Sequence, residues 1–248
     1  MKNKATEERE KSLPRRIFAG VLGLLLVLAL LTGVSFVTGN PLAEALARRR
    51  AANYLSTTYP GREFTVSEVS KSGAGRLDYS MRVDETGLLD GGFFLFVPLW
   101  GEVQDTRDYW VNTMRNTAQR LGNELAGAAA LALEQAGFPV LERCTATMGY
   151  EPDMQESFPQ MPFASRMELD MPLDPAAPPV PVRLELELVD PQPGEERARQ
   201  LLDQAQTALR EAGIRVDYYC LTLYTKDFAP FADVGRQYQL EDVPAGQS

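Results

Sequence analysis

The chain contains no histidine. That removes the usual general base of hydrolases, the commonest metal ligand and the usual pH switch. Ser-His-Asp, Cys-His and H-E-x-x-H sites are therefore excluded. Cysteine occurs only twice, at Cys144 and Cys220, too few for a Cys-rich zinc centre. Lysine is almost missing after residue 38, where Lys71 and Lys226 stand alone. From Thr38 onward there are 31 acidic and 19 basic residues, a balance that argues against a nucleic-acid partner, which requires clustered Lys and Arg. No G-x-x-x-x-G-K phosphate cradle occurs. The acidic cluster Glu102, Asp105 and Asp108 lacks EF-hand spacing. No cofactor and no metal is implied.

What the chain does have is an uncharged run of 21 residues, Ile17 to Val37. As a helix it would be about 30 Å long, the thickness of a bilayer's hydrocarbon core. The expectation is a single transmembrane helix over 17–37, with the lipid bilayer as its partner. Six basic residues precede the run: Lys2, Lys4, Arg9, Lys11, Arg15 and Arg16. Three follow it, Arg48, Arg49 and Arg50. The excess predicts a cytoplasmic tail (1–16), an inside N-terminus and an extracytoplasmic bulk, that is, a single-pass protein of the cell membrane. A cleaved signal is the alternative, with an A-x-A pattern at Ala45–Ala47.

Past the run, a helix is expected from Pro41 through Leu55, stopped at Tyr59-Pro60-Gly61. Strands are expected at Phe64–Val69, Arg76–Val83 and Phe93–Trp100. Asp108–Ala136 reads as one long helix with an apolar stripe at Val111, Met114, Ala118, Leu121, Leu125, Ala128 and Ala132. Strands follow at Phe138–Met148, Ser165–Met171 and Arg183–Val189. A helix opened by Glu195 and Glu196 runs to Ala212, and a last strand covers Ile214–Tyr224. Phe228–Phe231 is expected to pack locally, and the tail from Glu241 to be loose. The fold class is α+β, with two ectodomain units, 38–150 and 151–248. Each is expected to pack one long helix on a small antiparallel or mixed sheet.

The two helix ends look alike. Ala132-Leu133, Ala136-Gly137 and Val140 recur 76 residues later as Ala208-Leu209, Ala212-Gly213 and Val216, and Cys144 falls on Cys220. Either an internal duplication or common helix-glycine-strand grammar accounts for this. Strand alternation points both cysteines inward, as buried thiols. A disulfide between Cys144 and Cys220 is the sharper alternative, because an outside location is oxidising.

Phe93–Trp100 is the most apolar stretch outside the first run. It reads as a covered core strand, yet Pro98 is awkward for a central strand. The other reading presents Phe96 and Trp100 to a partner or a membrane surface. Glu185 and Glu187 sit beside Arg183 on the polar side of a strand, as a solvated face.

Ala51–Leu55 with Tyr59-Pro60-Gly61, then Phe64–Val66, Leu77–Val83 and Asn112–Leu121, resemble the YfjL-like proteins of Gram-positive bacteria. These are small membrane-anchored proteins with an α/β ectodomain. The resemblance implies no activity and brings no catalytic residues. The functional expectation is a non-catalytic binding or scaffolding module of the cell envelope. An accessory sensor subunit that detects an envelope ligand is the alternative, and a carboxylate-based envelope hydrolase is a third.

Overall fold

The computed structural model describes residues 21–23, 41–71, 78–98, 100–150, 152, 163–226 and 237–246. They form three helices and two four-stranded sheets. In chain order these are α1 (Pro41–Thr58), β1 (Phe64–Lys71), β2 (Tyr79–Glu85), β3 (Gly92–Val97) and β4 (Gln104–Asp105). Then come α2 (Arg115–Gln135), β5 (Leu141–Met148), β6 (Val182–Val189), α3 (Glu195–Glu211), β7 (Tyr218–Tyr224) and β8 (Gln237–Pro244). A π-helical turn, Asp108–Asn112, precedes α2. The sheet orders are β1-β2-β3-β4 and β5-β6-β7-β8. Two compact units result: residues 1–83 with 94–105, and residues 84–93 with 106–248.

The single-pass membrane assignment is not supported. Among the described residues no helix is long and apolar enough to cross a membrane. Of the run Ile17–Val37 only a helical turn at 21–23 is described, and the rest lies outside the described residues. Spanning takes about 20 consecutive apolar residues. α1 carries Arg48, Arg49 and Arg50, and α2 and α3 bury one face while leaving charged residues on the other.

The plan of one long helix per sheet is also corrected. The two helices expected to serve one sheet each, α2 and α3, both belong to the second unit and share one core with β5–β8. Leu121, Leu125 and Leu133 of α2 and Leu201, Leu202 and Leu209 of α3 are buried with Leu184, Leu186 and Leu188 of β6. In the first unit α1 buries Ala47, Ala51 and Leu55, a stripe at four-residue spacing, and Met81, Val83, Leu95 and Val97 are fully buried in the strands.

Alternation dictates β6. Val182, Leu184, Leu186 and Leu188 are buried, and Arg183, Glu185 and Glu187 point the other way. β5 pairs antiparallel to β6, and β7 pairs parallel to it, joined by α3 as the crossover. β8 closes the sheet antiparallel to β7. Its second half, from Glu241 to Pro244, falls in the tail expected to be loose. The expected strand Ser165–Met171 is instead a 3₁₀ turn, Ala164–Arg166, followed by a second turn at 169–170, with no strand pairing. Phe228–Phe231 lies outside the described residues.

The expected helix Asp108–Ala136 is broken near its start. The π-turn ends at Thr113, and Met114 adopts a left-handed conformation (φ 59°) before α2 begins. The buried stripe of α2 then moves to Ala118, Leu121, Leu125, Ala129 and Leu133. Gly122 lets the helix approach β5 closely: a Cβ there would lie 2.4 Å from the Ala146 carbonyl oxygen.

The repeated helix ends are real in geometry. Gly137 and Gly213 both have φ 72°. Phe138 N–H donates to Leu133 O (2.9 Å), and Ile214 N–H donates to Leu209 O (2.8 Å). Each glycine N–H donates in turn to the carbonyl three residues back, at 3.0 and 3.1 Å. This is the same Schellman-type stop twice. The likeness ends at the strands. Cys144 pairs with inward Leu186, whereas Cys220 pairs with outward Glu185. Equivalent positions thus face opposite sides of the sheet. Both cysteines are free thiols. With β6 between their strands and opposite faces occupied, no disulfide can join Cys144 to Cys220. Only Cys144 packs against the helix-covered core. Cys220 is buried on the other face, its sulfur accepting from Gln239 Nε2 at 3.5 Å.

Candidate interaction site

β3 separates its side chains cleanly. Phe93, Leu95 and Val97 are buried, whereas Phe96 is 43% exposed. β4 pairs antiparallel with the end of β3, Leu95 opposite Asp105 and Phe96 opposite Gln104. Pro98, which has no N–H to offer a ladder, stands just past the strand's end. The connection then turns through Trp100 and Gly101, and Gly101 has φ 101°, a backbone suited to glycine. Trp100 is 77% exposed. The structure therefore places Phe96 and Trp100 close together in sequence, one on the open side of a strand and one on the turn that follows.

α1 holds this turn. The guanidinium of Arg50 donates to both the Pro98 and the Gly101 carbonyls. The hydroxyls of Tyr54 and Tyr59 donate to the Asp105 carboxylate, the second at 2.8 Å. Tyr59 in turn packs its ring on Tyr54 and Phe64, with centroids at 6.5 and 5.6 Å. Leu42, Leu46, Arg50 and Tyr54 lie at four-residue spacing on one stripe of α1. The lower half of that stripe grips the turn. The upper half leaves Leu42 and Leu46 exposed. Sequence reading found Phe96 and Trp100 through the apolar run but missed Arg50, Tyr54 and Tyr59. The Arg48–Arg50 triplet was read as a charge flank, although Arg50 and Tyr54 at i, i+4 were a visible pair.

Elsewhere several carboxylates are committed to structure. In the second unit Asp90 is 3% exposed and pairs bidentately with Arg120, at 2.9 and 3.0 Å. Its Oδ2 also accepts the Asp170 N–H, while the Asp170 carboxylate accepts the N–H groups of Leu89 and Asp90. Asn116 donates to the Asp90 and Gly92 carbonyls. Burial alone would raise the Asp90 pKa, but Arg120 and the surrounding donors outweigh it and hold the carboxyl below its ordinary value. Glu85 pairs with Arg107 at 2.9 Å, both largely buried, and Asp190 pairs with Arg197 at 3.0 Å. On the polar side of the β5–β8 sheet, Glu185 and Asp242 both flank Arg183, which lies 4.7 Å from the Tyr150 ring centre. Tyr150 donates to Asp242 at 2.6 Å. Burial, aided by that bond, pushes the phenol up to about 12. Burial likewise pushes the Cys144 thiol up to about 11, keeping it protonated and weakly nucleophilic at neutral pH. Among the described residues no group of three or more Cys, Asp or Glu side chains could hold a metal ion.

The elements define a two-sheet α+β protein whose first unit displays an aromatic turn clamped by a helix. Residues 14–91 match the family model described as YfjL-like, N-terminal domain. The match contains α1, β1 and β2 and stops at Gly91, short of the Asn112–Leu121 motif. No curated protein and no solved structure matches the chain.

Proposed function

We propose that this protein is a non-catalytic binding module that offers Trp100 and Phe96 to a protein partner. The observation that carries this reading is a tryptophan 77% exposed on a turn whose carbonyls are fixed by Arg50. Tryptophan is the side chain most enriched at binding hot spots. A turn ordered beforehand loses little further freedom when a partner docks. The committed carboxylates, the protonated Cys144 and the absence of histidine favour binding over catalysis.

The test is photocrosslinking in the native cells, with the probe at Phe96. A discrete adduct with another protein is expected. Trp100→Asp should leave the fold intact and cost about 2 kcal/mol or more of binding, roughly thirtyfold in affinity. Arg50→Ala should weaken the adduct while Trp100 itself remains. Crosslinks confined to the chain, or unfolding of Trp100→Asp, would overturn the reading.

A further inference from the structure

The second unit contains a cleft of about 370 Å³ beside the C-terminal end of α3, within the size range of small-molecule sites. Its walls include Ile214 and Val216, both otherwise buried. Arg210 and Arg215 also line it. Two guanidinium groups on one small cleft stand out in a chain of net charge −9. Arg215 shares its charge with Asp217 at 2.9 Å. Arg210 has no ion-pair partner among the described residues.

Tyr219 is the decisive group. It lines the cleft, is 3% exposed, and its hydroxyl makes no hydrogen bond among the described residues. The hydroxyl is not among the buried polar atoms left without a partner, so it keeps access to the cleft, where it can donate to a bound acceptor. Burial holds the phenol up at about 12, with Asp217 adding to it and Arg210 opposing it; at neutral pH it is a neutral donor. The negative end of the α3 dipole is blunted, because Ala212, Gly213 and Ile214 N–H groups occupy the carbonyls of Ala208, Arg210 and Leu209.

We propose that this cleft binds a small organic carboxylate, with its compact apolar body against Ile214 and Val216. The carboxylate oxygens accept from the Tyr219 hydroxyl and meet the Arg210 guanidinium. The site lies within the second unit and stands apart from the Trp100 reading, so either can fail alone.

The test is an NMR titration of the ¹⁵N-labelled full chain with benzoate, phenylacetate and 3-methylbutanoate. Phenylacetamide serves as the neutral counterpart and inorganic phosphate as the bare anion. Saturable shifts at the Gly213 and Gly246 amides are expected with at least one carboxylate. Phenylacetamide and phosphate should bind at least tenfold more weakly. Tyr219→Phe and Arg210→Ala should each weaken binding at least fivefold; Arg210 is exposed, so its loss spares the core. Absence of saturable shifts with all three carboxylates overturns the proposal. So does equal affinity for phenylacetamide or phosphate, or undiminished binding by the folded Arg210→Ala protein.

Discussion

Asp90 ties one turn to three partners at once, through Arg120, Asn116 and the Asp170 N–H. Asp170 makes this possible by adopting φ 59°, a left-handed backbone that aspartate tolerates better than most residues. Removing one member of a buried pair strands the other, so Asp90→Asn should destabilise the protein by roughly 3 kcal/mol at pH 7. Chemical denaturation measures this. The pH dependence has a fixed sign. The folded carboxyl titrates below its ordinary value, so its stabilisation is complete above about pH 4, the unfolded range. It is lost as pH falls through the lower folded value. The gap between wild type and Asp90→Asn should therefore close in acid and stay constant from pH 6 to 8. A gap that widened on acidification would contradict the pairing.

Helix and strand identity were legible wherever one period dominated. The clean alternation of Leu184, Leu186 and Leu188 placed β6 almost to the residue. The stripe Ala198, Leu201, Leu202, Ala205 and Leu209 placed α3. What escaped were elements defined by their neighbours. β4 has only two residues, and β8 is an edge strand with a register shift opposite Tyr219–Leu221 that interrupts its alternation. The break at Met114 was invisible because the apolar spacing ran straight through it. Two predictions belong here. Gly122→Ala should destabilise by about 1–3 kcal/mol, since its Cβ meets a backbone carbonyl that cannot swing away. Gly137→Ala and Gly213→Ala should each cost about 1–2 kcal/mol, the expense of a left-handed alanine, and by similar amounts. Thermal or urea unfolding of the three variants checks both. Unequal costs at the two glycines would mean that the stops only look alike.

At the scale of the whole molecule, no covalent bond beyond the backbone joins described residues, since both thiols are free. The unfolding midpoint should be the same with and without reductant. Alkylation of unfolded, unreduced protein should add two groups by intact mass; a chain that took up neither would show a disulfide. The aromatic turn was partly readable because Phe93–Trp100 is conspicuous as a string. The Arg50 clamp was not, because its partners are carbonyls some fifty residues away that no side-chain pattern announces. The Tyr219 cleft was likewise hidden, its lining drawn from residues as separate as Ala176 and Gly246.

The second unit is assembled from two pieces of chain, residues 84–93 and 106–248. No single cut can therefore release it whole. A fragment beginning at Thr106 would keep Arg120, Asn116 and Asp170 but lose Asp90. During synthesis the short piece leaves the ribosome some eighty residues before the loop at Asp170 that receives it. Until that loop emerges, Asp90 is a carboxylate waiting in water, and the unit can close only late in translation.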